Sequence, residues 1–345
     1  MGEKAEATAA QEREPVVEED VEAGQDACHR GECSAAGVTM RAMAARVRYE
    51  RLATERANPR TVHLDRLDAR AIASLMNRED RAAVAAVGRV APAVAAAVDV
   101  IVAALSAGGR LFLVGAGTSG RLAVLEAAEC PPTFGTRPGL VQAIMAGGRR
   151  AVFRSREGAE DDARAASRVV RARVRRGDVL VGISASGVTP FVRRALQTAR
   201  ALGAATVLVQ CNAGRGPRAA DVVIRPIPGP EVLAGSTRLK AGTATKLVLN
   251  TLTTASMARL GKVYGNRMID LQPRSAKLRA RAERLVADVA GVGRARARQA
   301  LLGARGRVRV AIVMARRSLS ADAAVRALRA AGGSLRPLLE PPSAR

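Results

Sequence analysis

Two acidic stretches carry side chains suited to proton transfer. "LEAAECPPTFG" (125–135) keeps Glu126 and Glu129 in an apolar run that ends in a proline pair, and "EGAEDD" (157–162) sets Glu157, Glu160 and Asp161 where a helix is expected to begin. A carboxylate is costly to bury, so an apolar segment that retains one invites a chemical explanation. Pro131 disfavours helical geometry at Cys130, which places Glu129 in the last helical turn; the negative end of the helix dipole and apolar neighbours there favour a protonated carboxyl, the form that acts as an acid. Glu126, one turn earlier, reads as structural or surface. Glu160, taken alone, reads as an ordinary acid at a helix start. His29 and His63 are the only histidines, so a histidine base is not expected.

Two turns rich in small residues offer a place for an anion. The apolar run "RLFLVGAG" leads into "GAGTSG", where Gly115, Gly117 and Gly120 satisfy G-x-G-x-x-G at a strand-to-helix turn. A dinucleotide fold would end its second strand near an acid that holds the ribose; here that strand ends "MAGGRR". Arg149 and Arg150 facing a 2′-phosphate keep an NADP reading open. The second turn, "SASGVTP", follows the third strand. Thr118 and Ser119 of the first turn and Ser184, Ser186 and Thr189 of the second, at the carboxyl ends of parallel strands, make a cradle for one phosphate, aided by backbone N–H groups and helix dipoles. Helix capping accounts for either turn singly, less readily for both. In "GSTRLKAGTATK" Ser236, Thr237, Arg238 and Lys240 open a further helix, and anion contact and plain capping fit them equally.

The surrounding pattern says what holds these turns. Residues 67–107 read as helical, five β-type runs follow at 110–117, 139–147, 178–186, 205–212 and 221–227, and helix-length segments separate most of them. Such alternation predicts an α/β fold: a five-stranded parallel sheet flanked by helices, with N-terminal helices before it and a small helical C-terminal domain after it. The expected division is an acidic extension over 1–48, a helical segment over 49–100, the anion-binding domain over 101–270 and the helical domain over 271–345. Residues 1–39 hold 10 Asp/Glu against 3 Lys/Arg, a composition that predicts disorder. "CHRGEC" within it lacks a second pair of ligands, so no zinc site is expected.

With 345 residues and 48% hydrophobic content a sizeable core is feasible. Aromatics make up 2% and Trp is absent, which removes the stacking platforms of single-strand readers. The net charge of +25 comes mostly from arginine spread along the whole chain, so a solvated basic surface is expected rather than a nucleic-acid stripe, and small phosphorylated molecules suit the field. No apolar run reaches membrane-spanning length and the N-terminus is acidic, so neither a membrane anchor nor secretion is expected. Four scattered cysteines, at 28, 33, 130 and 211, fit a reducing cytoplasm.

The two turns resemble those of a sugar isomerase (SIS) domain, a fold that binds phosphosugars. "TERANPRTVHLDRL", "GAGTSGRLAVLEAAECPPTFG", "EGAEDD", "SASGVTPFV", "GSTRLKAGTATKLVLN" and "GKVYGNRMIDLQ" stand in the order found in N-acetylmuramic acid 6-phosphate etherases, from about Thr54 to the C-terminal "AAGGSLRPLL". "AECPPTFG" with "KAGTATKLVLN" is highly specific; the glycine loop is not. The resemblance implies a lyase that removes D-lactate from N-acetylmuramate 6-phosphate with net consumption of water, leaving N-acetylglucosamine 6-phosphate, and needing neither metal nor cofactor. In the open-chain sugar the C1 aldehyde acidifies the C2 proton and the lactyl ether at C3 is a β leaving group, so two carboxyl groups in different protonation states suffice. The family's catalytic glutamates match Glu129, the acid that helps lactate leave, and Glu160, the partner for C2 proton transfer. Thr118, Ser119, Ser184, Ser186, Thr189, Ser236 and Lys240 are the expected substrate contacts.

Ten residues separate Ser119 from Glu129, about 15 Å along a straight helix, longer than a sugar 6-phosphate between phosphate and C3. Unless that helix bends sharply, a homodimer with a shared site is therefore expected, Glu129 serving the other chain's phosphate pocket. Val188 stands where family members often have Arg, and Ser275 or a neighbour replaces a family amide. The rival from another class is a non-catalytic phosphosugar sensor related to the glucokinase regulatory protein, which is expected to carry two such domains.

Overall fold

The computed structural model describes residue 50 and residues 52–214, 216–271, 273 and 275–340. The acidic extension, with Cys28, His29 and Cys33, lies outside them.

After short 3-10 turns at Ala53–Glu55 and Leu64–Arg66, two helices lead to the sheet: α1 (Ala69–Gly88), capped by the Asp68 carboxylate on the Ala71 N–H, and α2 (Ala91–Ser106), which starts afresh around Pro92. Strands and helices then alternate: β1 (Leu111–Gly115), α3 (Gly117–Phe134), β2 (Val141–Met145), α4 (Arg150–Phe153), α5 (Ala163–Arg173), β3 (Val179–Ile183), α6 (Pro190–Ala201), β4 (Ala205–Val209), β5 (Val222–Ile224) and α7 (Lys240–Arg259). All five strands are parallel, in the order β2-β1-β3-β4-β5. Alternate strand residues face opposite sides. Leu111, Leu113, Val179 and Val181 pack with α2 and α7 through Ile101, Val248 and Leu249, while Phe112, Val114, Leu180 and Leu208 pack with α5 and α6 through Val170, Phe191 and Leu196. Burial on both faces is why these strands read as unbroken apolar runs.

Beyond α7 a hairpin of two-residue strands, β6 (Val263–Tyr264) and β7 (Arg267–Met268), precedes five helices: α8 (Ala276–Ala290), α9 (Arg294–Gly303), α10 (Val308–Arg317), α11 (Ala321–Ala330) and α12 (Arg336–Leu339). They enclose a core of their own around Val286, Ala297, Ile312 and Ala324. The hairpin is too short to leave a period-2 pattern in sequence. Ser275 caps α8 by accepting from the Leu278 N–H. Among the described residues no single helix is long and apolar enough to cross a membrane.

One element corrects the sequence reading. Helix α3 does not stop at Cys130 but continues through Pro131 and Pro132 to Phe134. The two prolines remove N–H donors only near the helix end. Burial of Cys130 and Phe134 in the core holds the backbone helical across them, and Gly135, at φ 59°, closes the helix by donating its N–H to the Pro131 carbonyl. Glu129 is therefore not in the final turn, and it is exposed to solvent.

Candidate active site

From β1 the chain crosses to β2 on one side and returns through β3 to β4 and β5 on the other. Where the order reverses, the carboxyl ends of neighbouring strands diverge and leave a crevice. Gly115 and Ile183 end β1 and β3 in register, so the turns that follow them meet there. They line a cavity of about 400 Å³ with Thr118 and Ser119 from the first turn, Ser184, Ser186 and Thr189 from the second, and Glu160, Asp161, Thr237 and Glu55 from the rim.

Backbone geometry explains the glycine motif without a dinucleotide. A Cβ on Gly120 would meet the Gly115 carbonyl oxygen at 2.7 Å, and Gly117 has φ 53°; close strand-to-helix packing and a left-handed residue dictate all three positions. Arg149 and Arg150, on which an NADP reading depended, are exposed and do not line the cavity.

The second turn is organised by Ser184, which is buried. Its hydroxyl accepts the Gly187 N–H at 3.0 Å and lies 2.8 Å from Thr189 Oγ1 and 3.2 Å from Ser186 Oγ. Ser184 thus fixes the turn while Ser186 and Thr189 present hydroxyls at the entrance to α6. The N-terminus of α3 adds free N–H groups, and the starts of α3 and α6 both add partial positive charge. Among the described residues no lysine or arginine lines the cavity, and Val188 is part of its wall. An anion bound here would meet hydroxyls, amides and helix dipoles.

Glu160 reaches the cavity from a loop tied down through its own carbonyl, which accepts the Phe191 N–H at 2.9 Å. It also borders an adjoining recess of about 200 Å³ beside Arg121 and Met145. Glu129 does not line the cavity of its own chain. Glu126 is structural: its buried carboxylate accepts from Lys246 Nζ at 2.6 Å and from the Thr253 hydroxyl at 2.5 Å, joining α3 to α7. Burial pushes the thiols of Cys130 and Cys211 up to about 12, so neither is a thiolate nucleophile at neutral pH.

At the start of α7 the sequence expectations need correcting. Ser236 and Arg238 do not line the cavity, whereas Thr237 and Gly235 do. Lys240 points inward: it is fully buried and its Nζ donates to Glu79 Oε2 at 2.8 Å and to the Pro230 carbonyl at 2.9 Å. Glu79 also accepts from Arg60 and from Asn58 Nδ2. A buried ammonium needs such a partner, and α1 supplies one that sequence order cannot reveal. The Arg60 hydrogen bond, with those of Lys240 and Asn58, holds the Glu79 carboxyl down at about 2 against desolvation. Glu231, also buried, caps α7 by accepting from the Lys240 and Ala241 N–H groups, and burial raises its pKa.

Lys240→Met leaves Glu79 short of its buried cation and should cost about 3 kcal/mol of stability, measured by urea unfolding. The same measurement against pH should show the contribution of Glu79. Its folded pKa lies below the unfolded one, so the stabilisation is fully present above about pH 5 and is lost as pH falls toward 2. In Lys240→Met this loss should be smaller.

The family model for the glucokinase regulatory protein N-terminal SIS domain matches residues 93–200, the span from α2 through α6. The N-acetylmuramic acid 6-phosphate etherase of Geobacillus thermodenitrificans is 50% identical over 293 residues, covering 84% of this chain and 99% of that protein. The etherase of Gloeobacter violaceus is 52% identical over 297 residues, covering 85% of this chain and 97% of that protein. The chain belongs to the N-acetylmuramic acid 6-phosphate etherase family. A phosphoheptose isomerase from Neisseria gonorrhoeae is 21% identical, with a TM-score of 0.40, over 55% of this chain and 98% of that one.

Within the etherase family chain, residue-by-residue reading missed Glu55. It stands in a single 3-10 turn, too short to leave a periodic pattern, and only its neighbours Thr54 and Asn58, both buried, mark that segment as anchored.

Proposed function

We propose that this chain is a carbon–oxygen lyase that cleaves the D-lactyl ether of N-acetylmuramic acid 6-phosphate, yielding N-acetylglucosamine 6-phosphate and D-lactate in the cytoplasm. The observation that carries the reading is a hydroxyl-lined cavity at the sheet's switch point with Glu160 on its wall, in a chain half identical to etherases. The phosphate sits against Thr118, Ser119, Ser186 and Thr189, with Ser184 holding their turn and Thr237 closing the far side. Glu160 takes the C2 proton of the open-chain aldehyde. The C3–O bond breaks, and Glu129 protonates the departing lactyl oxygen. Water then adds across the C2–C3 double bond, hydroxyl to C3 and proton to C2, so one water is consumed.

The working unit is a homodimer in which Glu129 of one chain serves the cavity of the other. Its exposure and a separation from Ser119 of about 15 Å along α3 support this. Leu125, four residues earlier and so on the same face of α3, is 44% exposed, which suits a face covered by a second copy.

Purified protein given N-acetylmuramic acid 6-phosphate should release D-lactate and N-acetylglucosamine 6-phosphate in equal amounts, followed by coupled lactate oxidation. Binding of the sugar phosphate with no lactate released would replace the lyase with a phosphosugar sensor.

A further inference from the structure

The elimination needs an aldehyde at C1, whereas a pyranose presents a hemiacetal. Opening the ring takes the proton from O1, forms C1=O, breaks C1–O5 and delivers a proton to O5. One carboxylate can do both transfers, accepting from O1 and returning the proton to O5 directly or through a water. The titratable side chains lining the cavity are Glu55, Glu160 and Asp161. Glu160 is committed to C2, and Asp161 follows it on the same loop at the entrance to α5.

Glu55 comes from a separate segment, beside the loop after β4. Its predecessor Thr54 is fully buried and clamped to the loop after β4: the Thr54 N–H donates to Asn212 Oδ1 at 3.3 Å, and Asn212 Nδ2 donates to Thr54 Oγ1 at 3.1 Å and to the Ala185 carbonyl at 2.9 Å. The Gly235 N–H donates to the Thr54 carbonyl at 2.8 Å. Farther on, Asn58 is held by Glu79, and the Thr61 hydroxyl donates to the Val232 carbonyl at 2.8 Å. Several buried polar side chains thus hold one short segment against the carboxyl ends of β3 and β4. What the segment presents to the cavity is the Glu55 carboxylate, lying over Gly235, where a Cβ would sit 3.0 Å from Glu55 Oε2. In a chain with 56 Lys and Arg, this carboxylate has no ion pair or hydrogen bond to another described residue. A rigidly supported side chain with free acceptor capacity, facing the site, is the arrangement expected of a catalytic group.

Resting on the etherase reading of the same cavity, we infer that Glu55 is a further catalytic residue that opens the substrate ring at C1 while Glu160 works at C2. Two carboxylates from separate segments of one cavity wall then serve adjacent carbons of one sugar.

Ring opening can be read apart from elimination, because the product N-acetylglucosamine 6-phosphate also exchanges its anomers through the open chain. Exchange NMR should show the wild type and Glu129→Gln accelerating α/β interconversion, and Glu55→Gln leaving it at the uncatalysed rate. Lactate release by Glu55→Gln should fall about a hundredfold, with product binding held or tightened and the melting temperature unchanged, since the side chain has no structural partner among the described residues. Anomer exchange by Glu55→Gln at the wild-type rate overturns the assignment, as does lactate release from a wild type that accelerates no exchange. Failure of the wild type to release lactate sinks the etherase reading instead, and the exchange experiment still reports on Glu55.

Discussion

Glu160→Gln should lower lactate release about a thousandfold, the usual scale for losing a positioned general base. The amide preserves shape, and the loop is held through the backbone carbonyl of residue 160, which accepts from Phe191 whatever the side chain. The melting temperature should therefore stay at the wild-type value. Binding of N-acetylglucosamine 6-phosphate should hold or tighten, because one negative charge near a phosphate dianion is removed from a cavity lined by no lysine or arginine among the described residues. Deuterium incorporation at C2 from heavy water should be lost with the activity, because both need the same proton transfer. A variant retaining more than about a tenth of wild-type turnover would remove Glu160 from the role of base.

Glu55, Glu160 and Asp161 share the cavity wall with hydroxyls and with no described lysine or arginine, while Arg121 and Arg156 stand in the adjoining recess that Glu160 also borders. A guanidinium placed there would hold the carboxylates ionised and lower their basicity. On the proposed reading a bound phosphate dianion would do the opposite, making nearby carboxylates better proton acceptors.

Much of this architecture was legible in the chain. All five strands were marked by buried apolar runs, and both hydroxyl turns stood out because small residues ended those runs at strand-to-helix junctions. Local pattern failed where the decisive partner is remote. Lys240 follows a serine- and threonine-rich turn and reads as an anion contact until α1 brings Glu79 to it from 161 residues away. The prolines after Glu129 read as a helix end, because the packing of Cys130 and Phe134 that overrides them is invisible to a four-residue rule. Glu55 carries no signal of its own; it matters through Thr54 and Asn212, 158 residues apart in sequence.

Mixing two inactive variants should restore activity if the site is shared between chains. Glu129→Ala removes the acid; Ser186→Ala weakens the phosphate cradle by one charge-assisted hydrogen bond, roughly 1.5–3 kcal/mol, leaving residual activity of a few per cent. In a hybrid dimer the Glu129→Ala chain keeps an intact cavity, and the Ser186→Ala partner supplies that cavity with an intact Glu129. The other cavity carries both lesions. One working site per hybrid, with hybrids forming half of a random mixture, gives about a quarter of wild-type turnover. If Glu129 instead reached the cavity of its own chain through a sharp bend in α3, each site in every dimer would carry one lesion and mixing would add nothing. Subunit exchange must be followed in parallel, by mass or by a tag on one variant, so that flat activity in a fully exchanged sample rejects the shared site. Recovery would also account for the exposed Leu125 beside Glu129, since the face of α3 that carries the acid would then be the face that meets the partner.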